Sequence, residues 1–410
     1  MKFHATLIED DVLHWLMRHQ WLAQQGEEKF HAALFDPPYF LGSIANRFGG
    51  ATSAPAQHGS DGAFRRLSKG FMNQQWDGFQ DVYHYQAWVT EWASRMLDFM
   101  LPNAVLVCFG GTRTYHRLVA GLEDAGWIIF DTMMWVFGQG LPKAHDVDGY
   151  KTALKPAYEP IVLARAPRRN TFAHHFHLEG TGLLDINSAR IEIKSGDMKA
   201  HASPNRSIGV LDSRMIYGSG KRKAIVYDTD RYPTHLILDG AAAAALNERS
   251  GKGDVARYFY QAKASTWERE AGLEDFEAST VDDGRKKPID NAFQRGETIR
   301  RNHHPTIKPI QLIEYLARLL LPPERSTPRR LLIPFAGTGS EIIGAQLAGW
   351  DEVVGIERDS EYARLNRARC QWWAQFASYD EAARSRLSAH RGEATFQDQI
   401  QNGQMSLFEI

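Results

Sequence analysis

The sequence predicts an α/β protein with a doubly wound, mostly parallel sheet, on three observations. Short apolar runs alternate with helical periodicity over residues 1–165, which implies parallel pairing through crossover helices. The same alternation returns after residue 302 and is punctuated by a glycine loop and an acid. Between them, from about Pro167 to Arg301, Gly, Ser, Asn, Pro and basic residues surround short apolar pieces, so this stretch reads as an insertion of different character.

In chain order, Ala5–Ile8 and Ala32–Phe35 read as strands, the second ending at Asp36-Pro37-Pro38-Tyr39. Tyr85–Met100 has helical spacing, Ala104–Phe109 is a continuous apolar strand closed by Gly110-Gly111, and Arg113–Ala125 is helical. Ile128–Phe137 and Glu159–Ala164 read as buried strands. Within the insertion, Ala241 to about Arg249 is the clearest helix, and the charged stretch Trp267–Arg301 reads as loop. A helix is expected over Ile310–Leu321, stopped by Pro322-Pro323. Strand Leu331–Ile333, loop Phe335–Ser340, helix Glu341–Ala348 and strand Val353–Ile356 follow, the last ending at Glu357.

Composition narrows the class. A hydrophobic share of 43% over 410 residues supports a full core. Two distant cysteines, Cys108 and Cys370, exclude a disulfide framework or a cysteine-rich zinc site and fit a reducing cytoplasm. No apolar run approaches the ~18 residues of a membrane span, and the N-terminus lacks an apolar signal core. The net charge of -1 names no partner, but residues 151–265 hold 18 Lys and Arg against 11 Asp and Glu, a local basic excess suited to nucleic acid.

Two loops carry the chemistry. Asp36-Pro37-Pro38-Tyr39 follows a strand at the edge where open α/β sheets bind ligands. A carboxylate and a backbone carbonyl there can accept both N–H bonds of an exocyclic base amine, favouring the pyramidal nitrogen that attacks a methyl sulfonium. Tyr39 offers a ring to a base swung out of its helix. Taken alone, the tetrapeptide is also an ordinary turn. The second loop, Phe335-Ala336-Gly337-Thr338-Gly339-Ser340, opens a helix, with Glu357 placed to meet a ribose. A nicotinamide dehydrogenase is the rival reading of that loop, but its third glycine would fall at Ile342.

Together these loops resemble the DNA amino-methyltransferases of the β class, in which the catalytic tetrapeptide comes first and the cofactor loop last. His304-Pro305-Thr306-Ile307-Lys308-Pro309, Trp76-Asp77-Gly78, Phe109–His116, Gly138–Lys143 and Lys155–Pro160 are similar to segments of phage and prophage members. The resemblance implies a seven-stranded, Rossmann-like methyltransferase sheet with an inserted target-recognition region. It divides the chain into a catalytic half (1–165), the insert (166–301), an S-adenosylmethionine-binding half (302–375) and a tail (376–410). Asp36, Pro37, Pro38 and Tyr39 would hold the target base. Asp11 (or Asp10), His304, Thr306, Lys308, Phe335, Gly337, Thr338, Gly339, Ser340 and Glu357 would hold S-adenosylmethionine. Where the family usually has Asp, this chain has Ile333, which leaves a catalytically impaired DNA-binding homologue as a second expectation. Asp36 resembles the first position of N6-adenine enzymes, whereas N4-cytosine enzymes more often carry Ser. Methylation of cytosine C5 would need a nucleophilic cysteine in a suitable loop, and neither cysteine sits in one.

Double-stranded DNA is the expected partner, with Arg168, Arg169, Arg206, Lys221, Arg222 and Lys223 as candidate phosphate contacts or, more plainly, a solvated basic face. His174-His175-x-His177 lacks further ligands at metal-site spacing, so no metal is expected. Gln404-Met405-Ser406-Leu407-Phe408 resembles the peptide that docks bacterial proteins on the sliding clamp, with Gln404, Leu407 and Phe408 as its contacts. The expected location is the cytoplasm, and the oligomeric state stays open, a dimer included.

Overall fold

The computed structural model describes residues 3–26, 29–40, 79, 81–138, 146–192, 230–250, 254–262, 266–281, 298–304 and 306–386. Nine strands form the main sheet: β1 (His4–Glu9), β2 (Phe30–Phe35), β3 (Met100–Phe109), β4 (Ile128–Val136), β5 (Tyr158–Arg165), β6 (Leu236–Asp239), β7 (Tyr260–Ala262), β8 (Arg330–Ile333) and β9 (Glu352–Glu357). Their spatial order is β1-β9-β8-β2-β3-β5-β4-β6-β7. Only β5 opposes the rest, pairing antiparallel with β3 and β4. The sheet is therefore mostly parallel and Rossmann-like, as expected.

The strand count corrects the expectation of seven. β6 and β7, both from residues read as insertion, pair parallel onto the β4 edge and extend the sheet. They are four and three residues long, too short for a period-2 signal to stand out among glycine, serine and charge. Residues 267–301 also need correction. They contain most of a helix, Thr266–Glu270, and a two-stranded ribbon of Ser279–Val281 with Thr298–Arg300.

The central strands are apolar on both pleat faces because both are covered. In β2, Phe30 and Ala32–Phe35 are buried, and so is all of 104–109 in β3. Helices α1 (Val12–Gln24), α2 (Val82–Met96) and α3 (Tyr115–Asp124) form one packed group. The α2 helix begins where Asp81 accepts the amides of Tyr83 and His84, each at 2.8 Å. It then buries Tyr85, Val89, Trp92, Ala93 and Met96, the spacing of one helical face. Replacing Trp92 by Ala would cost roughly 3–5 kcal/mol through lost transfer energy and the cavity left. After α4 (Phe172–Glu179), α5 (Gly240–Ser250) and α6 (Thr266–Glu270), helices α7 (Ile310–Leu320), α8 (Ser340–Ala348) and α9 (Ser360–Trp373) form the second group. β2 and β8 are neighbours, so the two loops singled out in the sequence leave adjacent strands at the same sheet edge.

Candidate active site

That edge opens into a cavity of about 720 Å³, within the size range of small-molecule sites. Its wall includes Asp36, Pro37, Pro38 and Tyr39 from the loop after β2. Pro334, Phe335, Gly337, Thr338 and Ser340 come from the loop after β8, and Glu357 from the end of β9. Asp10, Asp11, His304, Thr306 and Lys308 complete the expected set. Gly339 stands behind the wall rather than on it. Its φ is +91°, and a Cβ there would lie 2.8 Å from Asn366 Oδ1, so a side chain would both strain the backbone and push Asn366 away.

The Asp36–Tyr39 tetrapeptide is held from several sides. Tyr85 Oη donates to the Pro38 carbonyl at 3.1 Å and Thr114 Oγ1 to the Tyr39 carbonyl at 2.5 Å. A Cβ on Gly111 would come within 3.1 Å of Tyr39 Cβ, so the glycine lets the loop after β3 close over the tyrosine. The Tyr39 hydroxyl donates to Asp36 Oδ1. Lys308 Nζ donates to Asp36 Oδ2 at 2.5 Å and lies 3.3 Å from Glu159 Oε2. Burial raises the Asp36 carboxyl and Lys308 partly offsets it. Burial alone would lower the Lys308 ammonium, but Asp36 and Glu159 reverse the balance and raise it. Lys308, expected on the cofactor side, is thus an ion-pair partner of the Asp36 carboxylate.

The other half of the cavity is built on the turn into α8. Gly337 has φ +46°, and a Cβ there would stand 3.3 Å from His304 Nε2. Its amide donates to Glu357 Oε2 at 2.8 Å, and Glu357 Oε1 accepts from Asp359 N at 2.8 Å. Burial, the larger influence, outweighs these bonds and pushes Glu357 up to about 7. Glu341, in the first turn of α8, is likewise pushed up to about 7 by burial and then by Asp36. His304 is driven down to about 3 by burial, with Lys308, Arg269 and Arg369 adding to it, so it is neutral. Its Nδ1 accepts from Thr306 N at 3.3 Å, which assigns the ring proton to Nε2. Phe335 packs against Phe35, Trp88 and Trp92 with ring centroids 5.7, 5.7 and 5.8 Å away.

Asp11 also caps α1, accepting from Leu13 N at 2.9 Å, and it faces Arg358 at 3.6 Å. Asp10 is ion-paired with Arg18. Behind the loop, fully buried Arg369 donates to the Thr338 carbonyl and, at 3.1 Å, to the Glu268 carbonyl of α6. Arg269 in turn donates to the His304 carbonyl at 3.1 Å. The stretch read as loop therefore props up the cofactor turn.

Other expected residues lie elsewhere. Arg168 and Arg169 are exposed and follow the C-terminus of β5. Since β5 runs against β3, with Arg165 opposite Val105, they sit at the sheet edge opposite Asp36. Arg168 stacks on Phe172 at 4.0 Å. Arg206, Lys221, Arg222, Lys223, Gln404, Leu407 and Phe408 lie outside the described residues. His175 Nδ1 pairs with Glu179 at 3.0 Å. Among the described residues no group of three or more His, Cys, Asp and Glu side chains is arranged to hold a metal, and no helix is long and apolar enough to cross a membrane.

Sequence reasoning did not single out Glu159, Glu341, Trp88 or Tyr362, which touch the tetrapeptide or line the cavity. Glu159 lies inside the quoted segment Lys155–Pro160, and Glu341 directly follows Ser340, so position alone was the available signal.

The family profile described as DNA methylase, of the N6/N4 type, matches residues 30–368. Among solved structures the chain is similar to the M1.HpyAVI–SAM complex at 12% identity. That match covers 89% of this chain and 98% of the other, with a TM-score of 0.39. It is also similar to PvuII DNA methyltransferase (cytosine-N4-specific) at 12% identity, covering 90% and 87%, with a TM-score of 0.45. No curated protein matches the chain.

Proposed function

The chain belongs to the N6/N4 DNA methylase family, and from that premise we propose that it methylates the N6 amine of a flipped-out adenine. As a member it is an S-adenosylmethionine-dependent DNA methyltransferase acting on DNA. The observation that carries the finer reading is the Asp36 carboxylate, 9% exposed, on the wall of a cavity it shares with the glycine turn and Glu357.

The cavity residues fit the cofactor. A Cβ would crowd the turn at Gly337, the N-terminus of α8 and the His304 Nε2–H suit a carboxylate, and Glu357 stands at the end of β9 to meet ribose hydroxyls. Ile333, where the family usually has Asp, is fully buried in the core. Glu341 is the acid at hand for the methionyl ammonium. When bound, the cofactor supplies a methyl group on a positively charged sulfur. Asp36 accepts one N–H of the target amine and the Pro37 carbonyl the other, concentrating the nitrogen lone pair toward the methyl carbon. The raised Asp36 carboxyl also suits it to take the proton that the nitrogen sheds. Trp88 and Tyr39 provide aromatic surface for the extruded base.

N4-cytosine is the alternative acceptor, and one experiment separates the two. DNA from a methylation-free bacterial host expressing wild type or Asp36→Ala is read by modification-aware sequencing. N6-methyladenine at a fixed motif, present only with wild type, is the expected result. N4-methylcytosine would reassign the base, and unmodified DNA from soluble wild type would sink the proposal. Asp36→Ala should retain cofactor binding by calorimetry while transfer drops by at least a factor of about 100.

The C-terminal Gln404–Phe408 peptide is proposed to dock on a sliding clamp. A clamp pull-down with Leu407→Ala/Phe408→Ala should lose recovery, and equal recovery would remove the idea.

A further inference from the structure

Each oxygen of Asp36 already accepts a hydrogen bond from a neighbour. Oδ1 takes the Tyr39 hydroxyl and Oδ2 takes Lys308 Nζ at 2.5 Å. An amine that takes the place of Lys308 on Oδ2 would, were Asp36 the sole neighbour of that ammonium, strand a charge that is 3% exposed, which is strongly unfavourable. The structure supplies a second neighbour. Glu159 Oε2 lies 3.3 Å from Lys308 Nζ and 3.3 Å from Tyr39 Oη, so both groups that occupy Asp36 already touch the same alternative acceptor. Glu159 belongs to β5, the antiparallel strand, and reaches the tetrapeptide from across β3. Its side chain is 28% exposed, so it can receive the ammonium without a further burial cost.

We propose that Glu159 is the positioning residue that receives Lys308 and the Tyr39 hydroxyl when a target base arrives, releasing Asp36 to bind the amine. The inference rests on Asp36 being the amine acceptor. The exchange conserves charge in the site: the ammonium moves from one carboxylate to another, and the Asp36 oxygen it leaves is taken by an N–H of the base. Lys308 remains close enough to hold Asp36 ionised until the amine is seated.

The variant that tests this is Glu159→Gln, because its amide carbonyl still accepts from Tyr39 but offers no charge to Lys308. Steady-state kinetics on a duplex carrying the motif found by sequencing should show kcat at least tenfold lower, with the calorimetric Kd for S-adenosylmethionine within twofold of wild type. The pH profile adds a signature that a packing role would not produce. Asp36 faces Tyr39, Lys308, Glu159, Glu341 and Cys108, and Glu159 is one of the charges that raise it. Glu159→Gln should therefore move the acidic limb of kcat to lower pH while its plateau falls. Glu159→Asp, restoring the charge at shorter reach, should recover part of the rate. Wild-type kcat in Glu159→Gln would overturn the proposal, and so would parallel loss of turnover and cofactor binding. If wild type itself modifies no DNA, the acceptor reading fails first. If wild type is active, Asp36→Ala is silent and Glu159→Gln matches wild type, only the exchange fails.

Discussion

At the carboxyl edge of the sheet, Glu341 and Glu357 are pushed up to about 7 by burial. At the amino edge, Asp351 is held down to about 2, chiefly by the Arg329 side chain. Arg329 grips Asp351 with Nε and Nη2 at 2.8 and 3.0 Å and also gives it a backbone amide at 2.8 Å. The same chemical group is thus governed by burial at one end of the strands and by a charged partner at the other. The difference teaches where the fold invests in stability and where it keeps interactions in reserve for a ligand.

The two edges should answer substitution with opposite signs. Asp351 has a depressed carboxyl, so its contribution is present above about pH 4 and lost as pH falls through about 2. Asp351→Asn should destabilise the protein by about 2 kcal/mol at pH 7. The gap to wild type in urea unfolding should close toward pH 2, and no change at pH 7 would break the comparison. Glu341 has a raised carboxyl, so its contribution favours the fold fully below about pH 4.5 and is lost as pH climbs through about 7. Glu341→Gln should accordingly stabilise the cofactor-free protein by about 1 kcal/mol at pH 8, with the gain shrinking by pH 5. The same variant should weaken S-adenosylmethionine about tenfold by calorimetry, yet leave 5′-methylthioadenosine, which lacks the ammonium, unaffected. Equal weakening of both ligands would remove Glu341 from the ammonium role. The smallest effect is expected for Arg168→Ala/Arg169→Ala. At the edge away from Asp36, the pair should change DNA affinity and methylation less than about twofold, and a larger loss would show DNA reaching around the sheet.

The legible parts of this molecule were those whose signals are local. Asp36 and the Phe335–Ser340 turn each follow an apolar strand, so their placement at one edge could be reasoned from strand polarity. Glu357 was readable for the same reason. Glu159 was not, because its role comes from an antiparallel strand that carries it across β3 to Lys308, a relation no sequence spacing encodes. The support from α6 was hidden similarly. Glu268 and Arg269 look like surface charge in a five-residue helix, and only the fold brings them against Arg369 and His304. For Arg168 and Arg169 the sequence showed charge without showing that it lies at the sheet edge opposite Asp36.

β2 lies between β3 and β8, and Asp36 meets Lys308 across 272 positions of sequence. During synthesis at roughly 5–20 residues per second, the nascent chain holds Asp36 for about 15–60 seconds before the strand that must lie beside it has been made. Throughout that interval one margin of β2 is unmatched, and for most of it the Asp36 carboxylate has no Lys308 to pair with. A ribosome that stalls anywhere before residue 330 leaves a product without a place for the methyl donor. Products that end before this strand therefore lack the glycine turn and Glu357 that wall the cavity beside Asp36.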